Sequence, residues 1–90
     1  MKKINPVNHR KPGFVQLVGE VYARPGMRTD ELGDAMGIPY WTNLQHRVRR
    51  LIRQTRGLVV VKRDGKWHRY YPGTKLSPAE ARKLAVSYAD

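Results

Sequence analysis

Ninety residues with 40% hydrophobic content suffice for one small domain with one core, and leave too little chain for a separate catalytic or effector domain. The 18 Lys and Arg against 7 Asp and Glu give a formal net charge of +11, which points to a polyanion as partner: nucleic acid first, an anionic membrane or acidic protein after it. The absence of cysteine excludes disulfides and thiolate zinc sites and is compatible with a reducing, cytoplasmic setting.

The opening "MKKINPVNHRKP" has no apolar stretch behind its positive charges, and no run approaches the roughly 20 apolar residues of a membrane span, so a soluble, unexported chain is expected. Residues 1–11 are polar, basic and interrupted by Pro6, a composition that buries too little apolar surface to order itself, and they read as a flexible basic arm. Lys2, Lys3, Arg10 and Lys11 suit either a frayed solubilising tail or an arm in a DNA minor groove. Residues 12–75 read as the folded domain, with residues 76–90 as a C-terminal helix that packs on it or dimerises.

From Pro12, a residue suited to a first helical turn, Phe14, Leu17, Val18, Val21 and Tyr22 recur at helical spacing until "RPG" at Arg24–Gly26 stops them. A short second helix follows, with Thr29 as the expected N-cap, Asp30 and Glu31 where the helix dipole favours acids, and Leu32, Ala35 and Met36 inward. Gly37 can take the left-handed conformation that ends it. Gly33 permits close helix packing at about 1 kcal/mol of helix propensity.

A long third helix is expected over 40–56, with Trp41, Leu44, Val48, Leu51 and Ile52 on its inner stripe. It carries five arginines between Arg47 and Arg56 with no acid beside them. Like charges three or four apart repel by a few tenths of a kcal/mol per pair, so an outside anion is needed to offset the crowding. At about 100° per residue, Thr42, Asn43, His46, Arg49, Arg50 and Arg53 fall on the outward half. Such a face fits a DNA major groove, where Arg pairs with guanine and Asn with adenine while other basic groups hold phosphates.

"LVVVKRDGKWHRYYP" reads as a hairpin over 58–71 turning at Asp64–Gly65, the pair that a type I′ turn prefers. That turn sets Lys62 opposite Trp67 and Arg63 opposite Lys66, with one of Tyr70 and Tyr71 returning to the core. Ser77, Pro78 and Glu80 then make a capping-box start for a last helix with Leu84, Ala85 and Tyr88 on a narrow stripe. If that helix pairs two subunits, a palindromic site with half-sites about 34 Å apart follows.

The order of helix, acid-capped short helix, tight turn, long basic helix and basic hairpin resembles the winged helix-turn-helix family. The resemblance is carried by "PGMRTDELGDAMGIP", "LQHRVRRLI" and "GLVVVKRDGKWHRYYP" and spans Pro12 to about Pro72. It implies a mainly α fold with a small β-hairpin: a three-helix core, a two-stranded wing and the C-terminal helix. It further implies that helix 40–56 enters the major groove and that Lys62, Arg63 and Lys66 of the wing touch the DNA backbone or minor groove. By position, Arg28, Thr29 and Tyr40 meet phosphates at the helix starts.

A charge run is most often a solvated face, but Arg47 to Arg69 holds nine Lys or Arg against Asp64 alone and coincides with the helix and hairpin that should share one surface. Trp41 and Trp67 could stack on bases, although core or hairpin packing is the commoner use of such residues. Three scattered histidines without cysteine make no metal site, and no cofactor motif is present. Glu20, Asp30, Glu31, Asp34, Asp64, Glu80 and Asp90 offer no catalytic pair, so no enzyme is expected. The leading expectation is a sequence-specific double-stranded DNA binder, a small transcriptional regulator of bacterial or phage type in the cytoplasm with the nucleoid. The alternatives are an RNA- or ribosome-associated winged helix and a protein-interaction module such as a phage-encoded inhibitor.

Overall fold

In the computed structural model, residues 13–89 are described; the basic arm read at 1–11 lies outside them. The elements run α1 (Gly13–Ala23), β1 (Met27–Arg28), α2 (Thr29–Met36), α3 (Leu44–Gln54), β2 (Val59–Asp64), β3 (Trp67–Pro72) and α4 (Pro78–Ala89). No helix among the described residues is long and apolar enough to cross a membrane.

α1 is the central rod. Its helical-spaced apolar residues are all buried, and Val15 joins them on a second face, because α4 covers that side with the fully buried Ala81 and Ala85. Fully burying a Leu such as Leu17 contributes about 1.5–3 kcal/mol, and Leu32 and Leu58 are equally enclosed. The Tyr22 hydroxyl donates to the Leu58 carbonyl at 2.6 Å and lies 2.8 Å from Thr74 Oγ1. It ties α1 to the chain on both sides of the hairpin.

α2 begins one residue earlier than its sequence suggests. Arg28 is the N-cap, and its backbone N–H donates to the Glu31 carboxylate at 2.9 Å, so Glu31 satisfies a donor at the helix start. Thr29 is thereby moved inside the helix. Gly33 meets α3 at close range: a Cβ there would lie 2.7 Å from both Leu44 methyls. The helix ends at Gly37 with φ 72°.

α3 starts at Leu44 rather than Tyr40, because residues 40–43 form turns and Asn43 has φ 62°, left-handed geometry that breaks the helical phase. Trp41 therefore leaves the expected inner stripe and is 73% exposed. Leu44 and Val48 are buried, with Leu51 and Ile52 half-buried against the core. At the other end the buried Thr55 hydroxyl donates to the Ile52 carbonyl at 2.7 Å and sits 3.4 Å from the Val59 N–H, turning the chain into β2.

The sheet has three antiparallel strands in the order β1-β3-β2, one more than a hairpin alone. β1 pairs Met27 with Tyr70 and Arg28 with Arg69. The hairpin register also differs from that expected: Lys62 faces Arg69, Arg63 faces His68 and Asp64 faces Trp67. The connecting pair is thus Gly65–Lys66. Only Gly65 there has positive φ, 62°, which fits a turn with glycine first, whereas type I′ demands positive φ twice. Asp64 is kept in the ladder by Arg69, whose Nε donates to its carboxylate at 2.9 Å. The displacement carries each pairing two residues along, so the side-chain faces are unchanged. Met27, Val59 and Tyr70 point to the core, while Tyr71 is half-buried on the opposite face.

α4 opens with the reciprocal cap read from the sequence: Ser77 N–H donates to Glu80 at 3.0 Å, and Glu80 N–H to Ser77 Oγ at 3.2 Å. The Ser77 backbone N–H, and then its hydroxyl, hold the Glu80 carboxyl below its ordinary pKa.

Candidate nucleic-acid interface

With Leu44 and Val48 inward, the helical repeat puts His46 and Arg53 opposite the core, Arg49 to one side and Arg50 to the other. All four are exposed. Arg49 faces the sheet across a small crevice of about 80 Å³ with Gln45, Ile52, Val61, His68 and Tyr70. Arg50 borders a cleft of about 450 Å³ toward α1 and α2, with Gln16, Met36, Ile38 and Arg47. The two neighbouring arginines, which the wheel grouped together, thus flank the exposed crest of α3.

Among the described residues, ion pairs link Arg24 to Glu20, Arg28 to Asp30 and Glu31, and Arg69 to Asp64. None reaches an arginine of α3. Its like-charge crowding is therefore not relieved by a carboxylate within the described fold.

Two of the residues read onto the outward half of this helix lie just before it. Thr42 is half-buried in the preceding turn, where its hydroxyl donates to the Pro39 carbonyl at 2.7 Å and accepts from Arg47 Nη1 at 2.9 Å. Its donor is committed to the fold. Asn43 is exposed and makes no side-chain cap, so its amide faces solvent beside the first turn of α3.

The hairpin presents Lys62, Arg63 and Lys66 as exposed cations near its tip, with Lys62 and Arg63 on opposite faces of β2. Lys62 faces Arg69 directly, a like-charge pairing offset by stacking of Lys62 on Tyr71 at 5.3 Å and by the Arg69–Asp64 pair. Lys66 lies 5.5 Å from the Trp67 ring centre.

The residues proposed at the helix starts divide. The Arg28 guanidinium holds Asp30 through two 3.1 Å hydrogen bonds and covers Trp67 at 4.7 Å. Thr29 Oγ1 lies 2.9 Å from the Tyr70 hydroxyl. Both are engaged inside the protein. Tyr40, by contrast, is 77% exposed and meets Trp41 edge-on, with ring centres 5.2 Å apart.

Tyr70 sits behind the crevice. Burial pushes its phenol pKa up, partly opposed by the Thr29 hydrogen bond and by the Arg49 charge. Gln45 Nε2 lies 3.3 Å from His68 Nδ1 and joins α3 to β3. Sequence reasoning did not find this bridge: a polar residue on a helix flank and a histidine in a strand carry no local sign of each other.

Among the described residues, no group of three His, Cys, Asp or Glu is placed to hold a metal. Comparison of the chain with protein-family models, curated proteins and solved structures finds no match.

Proposed function

We propose that this chain is a winged helix-turn-helix protein that binds double-stranded DNA sequence-specifically and serves as a small transcriptional regulator. The order α1-β1-α2-α3-β2-β3 and the strand order β1-β3-β2 support the winged helix reading, with α3 as recognition helix and β2–β3 as wing. The observation that carries the function is the exposed side of α3, with His46 and Arg53 on its crest and Arg49 and Arg50 on its flanks, and with no carboxylate paired to its arginines among the described residues.

An α-helix about 10–12 Å across fits a major groove about 12 Å wide. In that position Asn43 and Arg49 or Arg50 reach base edges near the start and middle of α3, with adenine and guanine as their natural partners. Arg53 and the wing cations Lys62, Arg63 and Lys66 hold phosphates, which position the protein without reading sequence. Tyr40 stands beside the same end of α3. Arg28, Thr29 and Thr42 shape the support for this surface.

Selection from a random duplex library tests the reading: one enriched motif is expected, and its symmetry reports whether two copies bind together. Recovery of no motif overturns sequence specificity. Displacement of the duplex by folded RNA in matched salt overturns the DNA assignment in favour of RNA, whose duplex hides its major groove from side chains.

A further inference from the structure

Beside the crest of α3 lies a second feature that groove reading leaves unused. Tyr40, Leu44 and Gln45 face Lys66, Trp67 and His68 across an open cleft of about 330 Å³. Trp67 is 42% exposed: its direct cross-strand partner is Asp64, and the diagonal contact with Arg28 of β1 leaves much of the indole uncovered. Arg28 steadies the ring from 4.7 Å. Trp41 props Tyr40 edge-on.

We propose that the cleft between Tyr40 and Trp67 takes an unpaired nucleobase next to the duplex held on α3. The inference rests on the DNA-binding reading and adds to it a preference for duplex carrying an unpaired or extruded base. Every base offers a π-face to an aromatic wall. Gln45 and His68, already adjacent at 3.3 Å, offer an amide and an imidazole to the edge of such a base. Lys66, exposed in the turn, can exchange the indole face for the phosphate of the captured nucleotide. Asp30, the acid at the rim, is neutralised by Arg28.

The test uses one duplex in three forms: blunt, with a short thymidine extension, and with a single extrahelical thymidine. Affinity is measured by anisotropy at one salt concentration. In a Trp41→Phe protein, Trp67 is the sole tryptophan and its fluorescence reports stacking. The unpaired base should tighten binding roughly tenfold and quench Trp67, while the blunt duplex should not quench it. Trp67→Leu should remove the gain and Trp67→Phe should keep it, with thermal melts confirming that each variant folds. No gain, or a gain that survives in folded Trp67→Leu, overturns the proposal. If Trp67→Leu does not fold, the quenching comparison decides: equal response to blunt and unpaired forms overturns it. Binding of the blunt duplex against a scrambled one judges the sequence-specific reading separately.

Discussion

Two sets of arginines in this small protein have opposite fates. Arg28 and Arg69 lie on neighbouring strands and are occupied, the first by Asp30 and Trp67, the second by Asp64 and by the Gly26 carbonyl at 2.8 Å. Arg49, Arg50 and Arg53 lie on α3 and have no carboxylate partner among the described residues. Arg28 is held at the start of α2 and Arg69 joins β3 to β2 and to Gly26, while the α3 set makes no such carboxylate contact among the described residues. Net charge counts both alike, so only the partner of each guanidinium separates a structural cation from a binding one.

The broadest way to break this contrast is salt. If about five phosphates are neutralised by α3 and the wing, log affinity should fall against log salt with a slope of about −4.5, roughly a 500-fold loss between 50 and 200 mM. A slope near zero in equilibrium titrations would leave the α3 arginines without their proposed role. Next in size, Arg50→Ala should weaken binding by about 1–3 kcal/mol and relax preference at one base, with thermal stability unchanged. Equal loss on random sequences would make Arg50 a phosphate clamp instead.

Arg69→Met should show the reverse pattern. It should lower stability to urea by about 1–2 kcal/mol through the lost Asp64 and Gly26 contacts, and leave the salt slope as it was. A changed slope would place Arg69 with the binding set.

The smallest effect belongs to the α4 cap, far from either set. Because the Glu80 pKa is lowered in the fold, its stabilisation is present above the ordinary glutamate value of about 4.3 and is lost as pH falls through the lower folded value. Glu80→Gln should flatten that acid-side decline in thermal melts, with DNA binding at neutral pH unaltered.

Where residues signal through local periodicity, the chain was readable. The stripe of α1, the Ser77–Glu80 cap and the existence of the hairpin all follow from neighbours within a few positions. β1 did not, because two residues carry no period, and Met27 becomes strand only by meeting Tyr70. Trp41 was misplaced for a related reason: counting back from Leu44 at helical spacing assumes unbroken helix, and Asn43 resets the phase. In the candidate site, the exposed crest of α3 was legible from spacing alone. The separation of Arg49 from Arg50, the commitment of Arg28 and the Gln45–His68 bridge depend on how the sheet sits beside α3, which no local pattern encodes.

The Tyr22 hydroxyl gives the hairpin an anchor at its root. Because it is held between Leu58, where the chain enters, and Thr74, just after it leaves, the two ends of the ribbon share one fastening on the central rod. β1 fastens the ribbon again at Arg69 and Tyr70 and Gln45 meets it at His68, so the turn at Gly65 and Lys66 lies farthest from these fastenings. If the chain binds DNA as proposed, that tip is the part that adjusts to groove width, while α3 is seated on the core by Leu44 and Val48 in its first two turns.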